Sequence, residues 1–229
     1  MPRQTGGGSI VVAGPDGTGK STLARNLLAG PLANERVVHI YGRPKLLPRP
    51  SRAQAPPAAE NRRQPPLPVW LSLLRTVYVF VDFVLGWIVH VRPVVRAGGW
   101  VILERGWWDL VVDPGRFRLQ GSAGLARRLA VLGPRPDLVL ILEAPADVVR
   151  SRKDRLSEAE VMRQARLWHT VLPTRVRRAY LDANQPAEVV LQLAEAELLR
   201  LREPGRRSLP TWTTPRPTEP AAVRTSRAP

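Results

Sequence analysis

The stretch "VVAGPDGTGKSTLARNLL", residues 11–28, joins a short apolar run to a glycine-rich turn and then to a helical spacing of leucines. Residues 14–21 fit the pattern G-x-x-x-x-G-K-[ST] without a substitution. The glycines allow backbone angles that side chains forbid, and their N–H groups can turn inward around phosphate oxygens. The helix that follows adds positive charge at its N-terminus. The stretch therefore predicts a strand, a phosphate-binding loop and a helix, in that order.

This loop predicts a nucleoside triphosphate with Mg²⁺ as its ligand. Lys20 is expected to reach the β- and γ-phosphates, and Ser21 is expected to place its hydroxyl on the ion. The predicted nucleotide contacts come from the loop and the first helical turn: Gly14, Asp16, Gly17, Thr18, Gly19, Lys20, Ser21 and Thr22. The motif indicates a ligand but does not by itself indicate a reaction.

The length, cysteine content and charge of the chain restrict the classes of protein to which it can belong. The chain has 229 residues, enough for one sizeable core, and it has no cysteine. The lack of cysteine and the absence of an apolar leader at the N-terminus favour a cytoplasmic protein. The net charge is +16, and more than half of the excess lies in two Pro-rich segments, 42–68 and 201–229. We therefore expect a folded domain over 1–202 with a mobile loop at 43–68, a disordered tail over 203–229, and no specific nucleic-acid partner.

Residues 69–91 are almost all apolar, and a segment of 23 residues is long enough to cross a bilayer. Asp82 lies near the middle of this segment, and Arg75 and His90 lie within it. A central Asp opposes insertion into a membrane by roughly 2.5–3.5 kcal/mol. The favoured interpretation is a core helix in which Asp82 lines a site, and a membrane-associated protein remains the alternative.

The rest of the chain alternates short apolar runs with helical patterns. Strands are predicted at 10–13, 36–41, 100–103 and 137–142, and helices at 121–132, 146–152, 157–180 and 186–202. This alternation is typical of an α/β fold with a parallel sheet and helices on both faces.

Charged residues follow the predicted strands, where ligands bind in open α/β sheets. Glu104 and Arg105 follow the third strand, and Glu143 follows the fourth. The two carboxylates, with Ser21, are candidate Mg²⁺ ligands, and Arg105 can grip a phosphate through two parallel hydrogen bonds. The basic stretch "RSRKDR" at 150–155 predicts a lid over a transferred phosphoryl group, and a solvated basic face is its alternative.

Four segments together resemble the thymidylate kinase family of P-loop nucleoside monophosphate kinases. They are "GPDGTGKST" at 14–22, "RPVVRAGGWVILERGWWD" at 92–109, "PDLVLILEAPADVVRSR" at 136–152 and "YLDANQPAEVV" at 180–190, in the order in which that family has them. The resemblance implies a three-layer P-loop kinase fold with a small basic lid at about 150–160. It also implies Mg²⁺ and ATP as cofactors, a small phosphorylated acceptor, and, by analogy, a homodimer.

The resemblance implies roles for single residues. Lys20, Arg150 and Arg152 would stabilise the transferred phosphoryl group, and Arg105 would hold the acceptor phosphate. Asp16 would face the acceptor sugar. Three consecutive residues would lie near the adenine of ATP: Asn184, Gln185 and Pro186.

The acceptor side departs from the family pattern. The family helix carries "FxADR"; here Asp82 keeps the Asp, but Phe83 replaces the Arg and Val79 replaces the Phe. The predicted acceptor contacts are therefore Asp16, Tyr78, Phe80, Asp82, Arg105, Trp107 and Trp108. A nucleoside monophosphate such as dTMP is the first expectation for the acceptor, and a sugar phosphate or other metabolite is the second. A non-catalytic nucleotide-binding module is the alternative of another class.

Overall fold

The computed structural model describes residues 6–47, 64–153 and 156–202. The predicted tail at 203–229, most of the predicted mobile loop and two residues of the predicted lid lie outside the described residues. The described part of the chain forms five strands: β1 (Gly8–Ala13), β2 (Val37–Ile40), β3 (Trp100–Leu103), β4 (Leu138–Glu143) and β5 (Arg178–Asp182). They form one all-parallel sheet in the order β2-β3-β1-β4-β5.

Helices connect the strands. They are α1 (Lys20–Ala29), α2 (Val69–Gly86), α3 (Arg92–Arg96), α4 (Asp109–Val112), α5 (Ala123–Leu132), α6 (Ala146–Arg152), α7 (Glu158–Val171) and α8 (Ala187–Arg202). A π-helical turn, Trp87–Val91, joins α2 to α3, and a 3₁₀ turn, Pro114–Phe117, follows α4.

The sheet is buried on both faces. Along β1, Ile10 and Val12 pack with α1 and α8, whereas Val11 and Ala13 pack on the opposite face with α2, α5 and α7. Because both faces are covered, every residue of β1 is buried, and the strand is apolar without alternation. The predicted α/β class, with a parallel sheet between two layers of helices, is confirmed.

One predicted element is wrong. The helix predicted over 157–180 ends at Val171, and its last three predicted residues, 178–180, belong to β5. The four-residue spacing of Leu172, Val176 and Tyr180 imitates a helical face. Pro173 ends the helix, and pairing with β4, in which Tyr180 lies opposite Ile141, then makes the segment an edge strand. The other predicted strands and helices agree with the structure to within two residues at each end, except the helix predicted over 69–91, whose helical rod continues to Arg96.

The apolar segment at 69–91 lies in a continuous helical rod, Val69–Arg96, of 28 residues. Its most apolar window has a mean hydropathy of 1.7, and 39% of that window is buried. Val79 and Phe83 pack in the core, whereas Trp70 and Leu74 are exposed. By length and composition this is the one helix among the described residues that could cross a membrane, and core helices of soluble proteins pass the same test.

Burial in the central strands predicts where the fold is most sensitive. Leu140 of β4 is fully buried, so we expect Leu140→Ala to lower the free energy of unfolding by about 2–5 kcal/mol, because it leaves a cavity between the sheet and α1. Urea unfolding followed by circular dichroism measures the change. Leu132→Ala is the matched control, because Leu132 is 77% exposed and its truncation should change stability by less than about 0.5 kcal/mol. Equal effects of the two substitutions would contradict the assigned core.

Candidate phosphate-binding site

The turn after β1 has no room for side chains at two of its glycines. A Cβ on Gly14 would lie 2.4 Å from the carbonyl oxygen of Leu142, and a Cβ on Gly17 would lie 2.9 Å from that of Val149. Both glycines also have positive φ angles, 131° and 100°, which side chains disfavour. The loop is therefore pressed against β4 and α6, and its shape depends on glycine.

This loop borders a cavity of about 410 Å³ beyond the carboxyl ends of the strands. Seven of the predicted nucleotide contacts line the cavity: Asp16, Gly17, Thr18, Gly19, Lys20, Ser21 and Thr22. Side chains from other elements complete the lining, and they include Tyr41, Glu104, Arg105, Arg116, Arg152, Lys153 and Gln185. The strand order explains this gathering, because β1 lies between β3 and β4 and its loop faces the ends of both.

Two of the predicted Mg²⁺ ligands lie together. The hydroxyl of Ser21 donates a hydrogen bond to Oε2 of Glu104 at 2.5 Å, and Nε2 of His39 lies 2.9 Å from Oε1 of the same carboxylate. A hydroxyl and a carboxylate are oxygen ligands of the kind that Mg²⁺ prefers. The described residues hold no cluster of three or more His, Cys, Asp or Glu side chains suited to a metal. These two residues therefore fit a magnesium ion whose other ligands are phosphate and water oxygens.

The third predicted metal ligand, Glu143, lies elsewhere. Its Oε1 is 2.8 Å from Nε2 of His169, whose ring stacks on Tyr180 at 4.5 Å between centroids. Burial raises the pKa of Glu143, although His169 acts in the opposite direction. Glu143 does not line the cavity with Ser21 and Glu104, because α7 brings His169 over the end of β4. The structure does not support its predicted metal role.

Lys20 lies inside the loop. Its Nζ donates to the carbonyl oxygens of Gly14 and Pro15 at 2.8 and 2.6 Å, and it lies 3.8 Å from Oδ1 of Asp16. Burial, helped by the charge of Arg105, lowers the pKa of Lys20 to about 7. The amine therefore lies beside two carbonyl oxygens of the loop, and a polyphosphate bound by the loop would favour its charged form.

Asp16 is held between two guanidinium groups. Arg105 donates to its Oδ1, and Nη1 of Arg116 donates to its Oδ2 at 2.9 Å. Burial alone would raise the pKa of Asp16, but the charges of Arg105, Lys20 and Arg116 outweigh it and hold that pKa well below its usual range. Arg105 has a φ of 126°, which is rare for a residue with a side chain, and its Nη1 lies 3.2 Å from Asp109. Asp109 also accepts the N–H of Gly106 at 2.8 Å, which secures this strained turn.

Only some of the residues predicted to form the lid or to contact adenine lie at the cavity. Arg152 and Lys153 line the cavity, and Nη1 of Arg152 donates to the carbonyl of Ala183 at 2.9 Å. Arg150 is exposed on α6 and is not part of the lining. Of the residues predicted near adenine, Gln185 lines the cavity, whereas Asn184 and Pro186 flank it in the chain. Arg155 lies outside the described residues.

Two of the aromatic residues predicted to contact an acceptor lie in the core, and the other two pack against it. Trp107 and Trp108 are each 2% exposed. The Trp107 ring packs edge-on against Phe80, with 5.2 Å between centroids, and its Nε1 donates to the carbonyl of Ala126. Tyr78 packs against the same core. None of these four lines the cavity, because their apolar surface fills the space between the sheet, α2 and α5. The prediction that Trp107 and Trp108 contact the acceptor is therefore corrected, whereas the contacts predicted for the partly buried Tyr78 and Phe80 stay predictions.

Asp82 also has a different role in this structure. Its Oδ1 accepts the backbone N–H groups of Leu46 and Leu47, each at 2.8 Å, and Nη2 of Arg43 lies 3.7 Å from its Oδ2. The carboxylate thus fastens the chain after β2 to the C-terminal part of α2. This bonding explains a buried charge in an apolar helix without any acceptor contact.

Sequence reasoning missed three residues that border the site. His39 contacts Glu104, and Tyr41 and Arg116 line the cavity. His39 and Tyr41 lie at the end of β2, where a polar or aromatic side chain after an apolar run was a usable signal. Arg116 directly follows the sequence Asp-Pro-Gly, which is typical of turns. This sequence was a usable signal that Arg116 lies in a turn.

Comparison with known proteins adds no family to this description. No protein-family model and no curated protein matches the sequence. The functional assignment therefore depends on the arrangement of the loop, the Ser21–Glu104 pair and the basic side chains around the cavity.

The lowered pKa of Lys20 predicts how stability changes with pH. The unfolded chain keeps a proton on this amine up to about 10.5, whereas the folded chain releases it near 7. Between these values the unfolded state binds more protons, so the wild type should gain stability over Lys20→Met as the pH rises from 7 to 10. Urea unfolding of both proteins in EDTA, at intervals of one pH unit, measures this difference. All other titrating groups are shared, so a difference that stays constant with pH would contradict the lowered pKa.

Proposed function

We propose that this protein is a Mg²⁺- and ATP-dependent phosphotransferase with a P-loop kinase fold, acting on a small phosphorylated acceptor. The observation that carries the proposal is the meeting, at a single cavity, of the glycine loop with Lys20, the Ser21–Glu104 pair, and Arg105. The parallel sheet, with the loop following its central strand, supports the same fold. The resemblance to thymidylate kinases in four ordered segments is consistent with it.

The donor half of the site follows from the loop. Backbone N–H groups of the glycine turn and the N-terminus of α1 would receive the phosphates, and Ser21 and Glu104 would hold the magnesium ion. When bound, the ion neutralises charge on the phosphates. Lys20 would supply positive charge from the loop, and Arg152 and Lys153 would supply it from the other wall of the cavity. These charges would stabilise the negative charge of the phosphoryl group during its transfer.

The acceptor half centres on Arg105, whose guanidinium is oriented by Asp109 and borders the cavity. If Arg105 binds a phosphate on the acceptor, this contact would place the acceptor's reacting oxygen within reach of the donor. A nucleoside monophosphate such as dTMP remains the first candidate. A sugar phosphate is the second, and it is favoured by the burial of Trp107 and Trp108, which leaves these two rings without access to a base.

The first test is ADP release from Mg-ATP with and without dTMP, followed by a panel of nucleoside monophosphates and sugar phosphates. We expect at least one acceptor to stimulate ADP formation strongly. Lys20→Ala should lower the stimulated kcat by about 100-fold or more, because the amine stabilises charge in the transition state. Arg105→Ala should abolish the stimulation while ATP still binds, because it removes a contact to the acceptor.

The controls separate the competing interpretations. Leu132→Ala changes an exposed residue of α5 outside the cavity and should keep the wild-type rate. ATP binding without stimulation by any acceptor would favour a non-catalytic nucleotide-binding module. A wild-type protein that does not bind Mg-ATP at all would overturn the proposal. Recovery of the protein only in detergent would favour the membrane alternative, and the predicted homodimer is tested by light scattering on the same preparation.

A further inference from the structure

A second guanidinium, besides that of Arg105, borders the cavity. Arg116 comes from the 3₁₀ turn after α4, lines the cavity, and has a side chain that is 14% exposed, close to the 13% of Arg105. We propose that Arg105 and Arg116 form a two-guanidinium clamp for the phosphate of the acceptor, with Arg116 as a specificity-determining residue. The clamp rests on the proposed function and adds a residue that the sequence reasoning did not single out.

The geometry of the clamp is visible on Asp16. One guanidinium donates to each oxygen of its carboxylate, so both cations lie within hydrogen-bond distance of one small anion. Lys20 approaches the same carboxylate at 3.8 Å. Three cationic side chains thus surround the Asp16 carboxylate, and all four residues line the cavity from which a second anion would approach the guanidinium groups.

Arg116 has donor capacity beyond this contact. A guanidinium carries five N–H donors, and the described residues engage only Nη1 of the Arg116 side chain. A phosphate monoester presents three terminal oxygens, more than a carboxylate, and can take donors from two guanidinium groups at once. The clamp therefore selects an acceptor with a terminal phosphate over one that carries only hydroxyl or carboxylate groups.

A single short segment positions both cations. Asp109, the first residue of α4, orients Arg105, and Asp113, directly after α4, accepts the backbone N–H of Arg116 at 3.3 Å. The last carbonyl of α4, that of Val112, accepts a hydrogen bond from Arg163 of α7 at 2.7 Å. One buried helical turn, tied to a neighbouring helix, thus holds the guanidinium of Arg105 and the backbone of Arg116, and such support is what a selective site requires.

Binding of inorganic phosphate tests the clamp. Thermal unfolding is followed as phosphate is titrated at constant ionic strength, with and without saturating Mg²⁺ and a non-hydrolysable ATP analogue. We expect Arg116→Met to raise the phosphate concentration for half-maximal stabilisation by about 10-fold or more, because it removes charged hydrogen bonds. Arg116→Lys should recover only part of the affinity, because an ammonium lacks the planar pair of donors. Arg127→Met, which removes the same charge from an exposed position on α5, should match the wild type.

The outcomes distinguish the clamp from the proposed function. If Arg116→Met binds phosphate more weakly but keeps its affinity for the ATP analogue, the result supports both the clamp and the proposed function. An increased KM for the acceptor with little change in kcat would extend this result to turnover. Equal phosphate binding by Arg116→Met and wild type, or no phosphate binding by the wild type, overturns the clamp while leaving ATP binding as a separate result. Loss of affinity for the ATP analogue in Arg116→Met indicates a merely structural role and also overturns it. If Arg116→Met does not fold, Arg116→Lys decides by the same comparisons.

Discussion

The close approach of the turn after β1 to the neighbouring strand is the constraint on which the rest of this structure depends. No side chain fits at Gly14 against the carbonyl of Leu142, so the loop must curl tightly before α1 begins at Lys20. The tight curl places the start of α1 beside the end of β3. As a result the hydroxyl of Ser21 meets Glu104, and the amine of Lys20 meets the carbonyls of its own loop. Backbone space therefore determines where the chemistry of the site lies.

Burial of charge shapes the other wall of the cavity. Asp16, Arg105 and Asp109 have little solvent to stabilise them, so each requires a partner of opposite charge. Their mutual pairing, extended by Arg116, links the phosphate loop to the segment after β3. This network accounts for the unusual backbone angle of Arg105, because the neighbouring turn is held by hydrogen bonds to Asp109. The same network brings together, at one wall of the cavity, charged residues that are distant in sequence.

The local features of the site were predictable, whereas the features that depend on long-range packing were not. The glycine loop, Lys20 and Ser21 lie within one motif, so their neighbourhood is set over a few residues. The edge strand β5 was predicted as helix, because its pairing with β4 is invisible in the spacing of its own residues. Glu143 was assigned from its place after a strand, but α7 covers that strand end with His169.

By itself the sequence determined the alternation of strands and helices as far as α7, the buried character of the central strands and the glycine-rich loop after β1, because periodicity and glycine placement act over short distances. Only the tertiary structure decided which side chains share the cavity. Trp107 is of a residue type that often lines binding sites, but here it lies in the core. Burial of its large apolar surface stabilises the fold more than exposure at a site would. Arg116 has an unremarkable place in the sequence, yet a turn held by Asp113 carries it to Asp16, 100 residues away along the chain.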